Sequence, residues 1–241
     1  NLPEADFGVV LDRDDEYRGL VLGGLARWAV AGPDELSMTV GDWAGVLREN
    51  RKLVLASYHL DGEQWRSVVA KVGMAMRRLY ETIPQQVKLF LLIDEAHEVA
   101  PQDRTFPDPI AKIATMGRGE GVSTIWVTQR PAQVDKEVLG QCTAQYAGGI
   151  AEKNDLDAIS VSTYPVEVHD WRISQVPGLP PELHASDKGA VALRKFVDEH
   201  GEVTGSEWIY ADDTGDMWRE TRDGSRMATT HYGNSGWRLK V

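Results

Sequence analysis

The sequence contains a single cysteine, Cys142, among its 241 residues. One thiol cannot form an internal disulfide, and the six histidines share no metal-ligand spacing, so a disulfide scaffold and a four-ligand structural zinc site are excluded. Apolar runs are short as well: none approaches the roughly 18 residues that a bilayer-spanning helix needs, and no secretory pattern opens the chain. We therefore expect a cytoplasmic protein that does not associate with membranes.

Positive charge is also scarce. The chain carries 26 Lys and Arg against 37 Asp and Glu, which gives a formal net charge of −11 and a pI of about 5.0. This balance disfavours a broad nucleic-acid-binding face, so any contact with DNA would come from a local basic loop or from the pore of an oligomer. Abundant aspartate with more arginine than lysine favours a halophilic source, and an ordinary acidic protein is the alternative.

Hydrophobic residues make up 42% of the chain, enough for one substantial core. Short apolar runs, typical of buried strands, alternate with helical patterns. The strands are expected at Phe7–Asp12, Lys52–Tyr58, Lys88–Glu95 and Val122–Thr128, and the helices at Gln64–Thr82 and near 108–116 and 135–141. This alternation predicts an α/β fold with a mainly parallel sheet flanked by helices, in which ligands bind at the carboxyl ends of the strands.

The character of the sequence changes near Val176. A Pro-Gly-Leu-Pro-Pro stretch follows at 177–181, and after it come the alternating segment Glu207–Tyr210, a turn at Asp212–Gly215 and the segment Met217–Glu220. This order is typical of a β-hairpin. We predict two domains, an α/β core over 1–175 and a β-rich C-terminal extension over 176–241.

The sharpest chemical signal is the pair Asp94-Glu95, which directly follows the most apolar strand. Nucleotide hydrolysis needs one carboxylate to hold magnesium, and often a second to polarise the attacking water, and adjacent carboxylates at a strand's exit can do both. The alternative is simple helix capping, because an Ala-His-Glu-Val helix start follows.

Two further features lie beside this pair. The next strand ends in Thr128-Gln129-Arg130, which would place an amide at the same sheet edge, where it could sense a γ-phosphate. An exposed loop glutamine is the alternative. Between the two strands, Arg118 lies in a glycine-rich segment and could reach the phosphate of a neighbouring subunit as an arginine finger. A solvated turn would explain Arg118 equally well.

Taken together, three segments, Leu91–Pro101, Gly117–Pro131 and Val134–Cys142, resemble the HerA/FtsK superfamily of hexameric DNA-pumping ATPases, and archaeal HerA most closely. The matched block covers about Leu89 to Ile150. Val10–Tyr17 is similar to the segment that follows the family's P-loop helix.

The resemblance implies a RecA-like fold of the P-loop NTPase (ASCE) type that uses ATP and Mg²⁺. Carried over by position, Asp94 is the Walker B magnesium residue, Glu95 the catalytic base and Gln129 the sensor. Either Arg118 or Arg130 is the arginine finger. Asp12 and Glu16 would lie beside the nucleotide pocket.

One part of the family's pattern is missing. No G-x-x-x-x-G-K-[ST] motif occurs in the 241 residues, although this loop cradles the phosphates and completes the metal shell. Family spacing places the loop just upstream of Phe7. We therefore expect the natural chain to extend upstream of Asn1, and this chain alone to bind ATP poorly or not at all.

The implied function is ATP-driven translocation along double-stranded DNA by a homo-oligomer, a hexameric ring. It would serve DNA end processing with a NurA-type nuclease, or genome packaging or transfer in a virus or mobile element. Arg104 and Lys112 are candidate DNA contacts.

Two alternatives stay open. One is a degenerate ring subunit that lends Arg118 to an active neighbour. The other is a DEAH-type helicase, since Asp94–His97 spells that motif. The second-lobe motifs of such helicases are not found in the sequence, and His97 is then expected to be a surface or packing residue at a helix start.

Overall fold

The structure is a computed structural model, and it describes residues 5–57, 59–84, 87–103, 105–115, 121–160, 163–185, 191–223 and 229. The chain divides into two compact units. The first is formed by 1–129, 133–138 and 228–241, and the second by 130–132 and 139–227.

The strands in chain order are β1 (Phe7–Asp12), β2 (Arg27–Ala31), β3 (Lys52–Ser57), β4 (Leu89–Ile93), β5 (Val122–Trp126), β6 (Ala144–Ala147), β7 (Lys195–Val197), β8 (Val203–Asp212) and β9 (Met217–Asp223). The α-helices are α1 (Arg18–Leu22), α2 (Val40–Glu49), α3 (Gly62–Thr82), α4 (Ala96–Val99), α5 (Asp108–Thr115), α6 (Lys136–Gln141) and α7 (Lys153–Ile159). Short 3-10 turns lie at Asp34–Ser37, Pro131–Gln133, Val166–His169 and Pro181–Leu183. Within the described part of the chain, no helix has the length and apolar character that crossing a membrane requires.

The first unit contains a five-stranded, fully parallel sheet with the order β2-β3-β1-β4-β5. Its central strands are buried, as the apolar runs predicted, and Leu11 on β1 lies opposite Leu55 on β3 and Ile93 on β4. The predicted α/β fold with a mainly parallel sheet flanked by helices is confirmed. Neither β2 nor α2 was predicted from the sequence.

The long helix α3 organises the helical layer of this unit. Asp61 caps its start, accepting from the Gln64 backbone N–H at 2.9 Å, while the Gln64 side chain accepts from the Asp61 N–H at 3.0 Å. Its apolar residues at spacings of three and four are buried, as predicted. Gly73 lets α3 approach α5 closely, because a Cβ there would lie 2.0 Å from Ile113 Cδ1.

One stretch of the parallel sheet is incompletely covered. Val10, Leu92 and Ile125 are register partners on β1, β4 and β5 and therefore share one face of the sheet. Val10 and Leu92 are partly exposed and Ile125 is 39% exposed. On the same face, a Cβ added to Gly8 would meet no atom within 4 Å. Parallel sheets normally bury both faces, so this row is an unusual exposure of apolar surface.

The second unit contains an antiparallel sheet in which β8 pairs with β6, β7 and β9. The predicted hairpin is β8 and β9, joined by a turn whose Asp212 accepts from the backbone N–H groups of Thr214 and Asp216. The small core beneath the sheet consists of Tyr164, Val168, Leu183, Leu193, Ile209 and Ala211.

Glu207 on β8 is the buried charge of this unit. It is 2% exposed, and its carboxylate accepts from Arg194 at 2.6 Å and from Arg219, whose side chain is 3% exposed. Arg219 also donates to the Val191 and Ala192 carbonyls at 2.8 and 3.0 Å. The two guanidinium groups lower the pKa of Glu207 against the opposing effect of burial. The network therefore ties the chain near 191–194 to β8 and β9.

We expect Glu207→Gln to lower the free energy of unfolding by about 3 kcal/mol, because removing one partner leaves buried guanidinium charge uncompensated. The measurement is denaturant unfolding at pH 7. Asp157→Asn is the matched control, since it breaks an exposed pair with Lys153 in the same unit and should cost under about 0.5 kcal/mol. Equal losses in the two variants would contradict this account of Glu207.

Candidate functional site

Polar side chains gather at the carboxyl edge of the parallel sheet. Asp12 is the last residue of β1, Asp94 and Glu95 follow β4, and Gln129 lies three residues beyond β5. Because β1 pairs directly with β4, and Leu11 lies opposite Ile93, the chain leaves both strands at the same level of the sheet. The structure thus brings together the carboxylates that the sequence singled out at separate strand ends.

Asp12 is fully buried and organises the loop that follows β1. Its carboxylate accepts from the backbone N–H groups of Glu16 at 2.9 Å and Tyr17 at 3.0 Å. Burial raises the pKa of Asp12 to about 6, although these hydrogen bonds oppose the rise. Burial and the nearby charges of Asp94 and Asp12 also raise the pKa of Tyr17. Tyr17 and the half-buried Glu16 therefore belong to the same site.

Asp94 is 6% exposed. Burial raises its pKa to about 7, and the nearby carboxylates of Asp12, Glu95 and Glu16 add to the rise. A hydrogen bond from the Glu95 backbone N–H acts in the opposite direction. A carboxyl group with such a raised proton affinity is one that a positive charge would stabilise in its ionised form.

Glu95 adopts a left-handed backbone conformation, with φ 47° and ψ 53°, before α4 begins. The flanking backbone is held by hydrogen bonds from Ala96 N–H to the Val127 carbonyl at 2.8 Å and from Val127 N–H to the Ile93 carbonyl at 2.9 Å. Burial raises the pKa of Glu95 while the neighbouring His97 lowers it. This conformation is costly for a residue with a Cβ, so its neighbours must impose it.

The same kind of backbone occurs elsewhere along this edge. Among the described residues, three non-glycine residues have positive φ, namely Asp15 at 60°, His59 at 60° and Glu95. They lie in the segments that follow β1, β3 and β4. Strained conformations of this kind concentrate at functional sites, and here they share the edge where parallel sheets bind ligands.

Arg13 links these loops and was not singled out from the sequence. Its guanidinium donates to Ser57 Oγ at 2.8 Å and to the Leu60 carbonyl at 3.2 Å, and it lies 3.3 Å from the Glu98 carboxylate. The exits of β1 and β3 and the helix α4 are thereby joined. The sequence feature that could have identified Arg13 is its position directly after Asp12, the aspartate that ends β1.

His97 was expected to be a surface or packing residue at a helix start. The structure places it on α4 with its Nδ1 atom 3.0 Å from Glu95 Oε2 and 3.3 Å from Thr128 Oγ1. It therefore contacts the candidate base directly, which the sequence expectation missed.

The remaining candidates are less closely grouped. Gln129 is exposed after β5, and Lys112 is exposed on α5. Arg130 is exposed and belongs to the second unit. Arg118 and Arg104 lie outside the described residues.

The carboxylates suit a magnesium ion that keeps most of its own ligands. In the part of the chain that the structure describes, no group of three or more His, Cys, Asp or Glu side chains has the arrangement of a protein-only metal site. Magnesium in nucleotide sites is bound through one or two carboxylates plus water and phosphate oxygens, so such a group is not required. The buried Asp94, with its raised pKa, fits that role.

Three comparisons place this chain among known proteins. No family model matches it. Over 77 residues it is 32% identical to a probable helicase, MJ1565, of Methanocaldococcus jannaschii, a match that covers 31% of this chain and 15% of that protein's length. The chain therefore spans well under a fifth of the curated relative that it matches.

Among solved structures, the genome packaging NTPase B204 of Sulfolobus turreted icosahedral virus 2 in complex with ATP-gammaS is similar over 90% of this chain and 96% of its own, with a TM-score of 0.49 and 15% identity. B204, the DNA-packaging ATPase from Sulfolobus turreted icosahedral virus, aligns over 89% and 96% of the two chains, with a TM-score of 0.47 and 13% identity.

The raised pKa of Asp94 predicts a pH-dependent stability. The folded state holds this proton more tightly than the unfolded state, so its contribution is complete below about pH 4 and is lost as the pH rises through 7. We expect Asp94→Asn to raise the unfolding midpoint at pH 8 by on the order of 2–5 °C, with the gain vanishing toward pH 4.

Thermal unfolding between pH 4 and 8 measures this difference. Asp42→Asn is the control of opposite sign, because hydrogen bonds from Thr39 lower the pKa of Asp42, whose stabilising effect is lost as the pH falls. A gain for Asp94→Asn that did not change with pH would refute the assigned cause.

Proposed function

We propose that this chain is the hydrolytic part of an ATP-driven motor acting on double-stranded DNA, of the HerA/FtsK type, with a RecA-like core. The observation that carries the proposal is the pair Asp94 and Glu95 at the exit of β4, beside the buried Asp12 and Tyr17. Two adjacent acids held in different environments are suited to two roles, one at a metal ion and one at the attacking water.

In this proposal Asp94 holds Mg²⁺ through its water shell, and the ion would neutralise charge on the nucleotide phosphates. Glu95 accepts the proton of the attacking water, a role for which a carboxylate with a raised pKa is well matched. Gln129, beyond the neighbouring strand β5, senses the γ-phosphate. Asp12 and Glu16 hold the β1 loop that borders the nucleotide pocket.

The phosphate-binding loop would come from a segment upstream of Asn1. The incompletely covered row formed by Val10, Leu92 and Ile125 supports this view, since a further helix packed there would bury it. In the described part of the chain β5 is an edge strand of the sheet, so a further parallel strand could pair with it. Without that segment, the chain would bind ATP poorly.

The partners follow from the same proposal. The active unit is a homo-oligomeric ring, hexameric in the family that the chain resembles, with Arg118 or Arg130 reaching the nucleotide of a neighbour. The match to a probable helicase supports action on nucleic acid. Two biological settings fit this proposal. One is DNA end processing with a NurA-type nuclease, and the other is genome packaging or transfer in a virus or mobile element. The acidic composition, with the single Cys142, favours the cytoplasm of a halophilic archaeon.

A degenerate ring subunit is the second candidate, favoured by one observation, the lack of a G-x-x-x-x-G-K-[ST] motif in these 241 residues. Such a subunit would lend Arg118 to an active neighbour and hydrolyse nothing itself. The intact mass and N-terminal sequence of the natural gene product separate the two candidates. A glycine-rich Lys-Ser/Thr loop upstream favours the motor, and a natural start at Asn1 contradicts it.

We expect Glu95→Gln in the natural-length protein to lower kcat for ATP hydrolysis by at least about 100-fold while nucleotide binding persists. The measurements are steady-state ATPase assays and a nucleotide titration. Glu81→Gln, at an exposed carboxylate near the end of α3, is the matched control and should hydrolyse ATP normally. Turnover that survived in Glu95→Gln would exclude Glu95 as the base.

A further inference from the structure

A series of contacts leads from Glu95 through His97 to Thr128, the residue next to Gln129. Glu95 and His97 are both largely buried, with 18% and 17% of their side chains exposed. One atom, His97 Nδ1, lies 3.0 Å from Glu95 Oε2 and 3.3 Å from Thr128 Oγ1. Thr128 directly precedes Gln129 in the sequence.

The two contacts of Nδ1 bear on which imidazole nitrogen carries the proton. If Nδ1 carried no proton, its lone pair would face the lone pairs of an ionised carboxylate at 3.0 Å, which is repulsive. With a proton on Nδ1, the imidazole N–H lies close to two oxygens, Thr128 Oγ1 at 3.3 Å and Glu95 Oε2 at 3.0 Å, and the second is a buried oxygen that accepts no hydrogen bond of good geometry from the described residues.

We infer that His97 is a positioning residue for the candidate base, and that Thr128, His97 and Glu95 link the end of β5 to the hydrolytic carboxylate. This inference rests on the proposed function. His97 lies 3.0 Å from Oε2 and restricts the orientation of the carboxylate, so the second oxygen of Glu95 remains to receive the proton from water. A displacement of Thr128, next to the candidate sensor Gln129, is transmitted through His97 to Glu95.

The backbone makes this link stiff. The turn that carries Glu95 is bound to Val127, the residue that follows β5 and precedes Thr128. The Ala96 N–H donates to the Val127 carbonyl, and the Val127 N–H donates to the Ile93 carbonyl. The backbone on both sides of Glu95 is thus bound to Val127, and the Glu95 side chain lies against His97. Two points of attachment leave the carboxylate little freedom to turn away, which is the requirement for a preorganised base.

The first test uses this chain and needs no hydrolysis. Imidazole ¹⁵N spectra at pH 7.5 should show His97 with a proton on Nδ1, and Glu95→Ala should shift that resonance while leaving His200, an exposed histidine of the second unit, unchanged. A His97 resonance that is the same in both proteins would overturn the inference, whatever the fate of the ATPase proposal.

The second test uses the natural-length protein. His97→Ala should lower kcat about 10- to 100-fold while KM for ATP changes less than about twofold, because the base is misplaced and nucleotide binding is not. His97→Asn should recover part of kcat, since the Asn amide can occupy the position of Nδ1–H. A merely structural role would give equal loss in both variants together with a lowered unfolding temperature.

The two proposals fail in different ways. If Glu95→Gln remains active, the assignment of the base fails and His97 has no base to position. If Glu95→Gln is inactive and His97→Ala keeps full kcat, the role of His97 alone is overturned. Thr128→Val completes the set, and it should lower kcat less than His97→Ala, because it removes the longer of the two contacts.

Discussion

The pairing of β1 with β4 is the constraint on which the site depends. Both strands are buried, and their register ends with Leu11 opposite Ile93, so Asp12 and Asp94 follow at the same level of the sheet. Burying two carboxylates near each other is unfavourable, and backbone N–H groups offset only part of the cost. The part of this cost that is not offset raises the pKa of both carboxyl groups, and a positive charge placed beside them would lower it.

The sequence predicted the helices and strands whose own residues form a strong apolar pattern. The runs that became β1, β3 and β4, the three-and-four spacing of α3 and the β8–β9 hairpin all carry their own signal. β2 and β6 do not, since their residues are mostly half-exposed and they are recognised only through partners elsewhere in the chain. β6 pairs with β8 about sixty residues later, and no pattern within four residues predicts such a contact.

The site divides in the same way. Asp94 and Glu95 could be singled out because an acidic pair at the end of an apolar strand is a local feature. Arg13 and His97 could not, because their significance lies in what they reach: Arg13 contacts Ser57, which is 44 positions away, and His97 contacts Thr128, which is 31 positions away. The left-handed turn at Glu95 is likewise constrained by Val127, which follows the next strand, and neighbouring residues in sequence do not express this constraint.

The uncovered sheet face and the carboxylates are physically connected. Asp12 follows Val10 by two residues and Asp94 follows Leu92 by two, so the apolar row continues directly into the acidic edge on one face of the sheet. A strand added parallel to β5 would end at this edge, and a helix running back over the row would begin there. The helix N-terminus carries partial positive charge and binds phosphate, so the element that buries the apolar row would also offset the clustered carboxylates. One helix packed on the uncovered face would in this way also face the acidic edge.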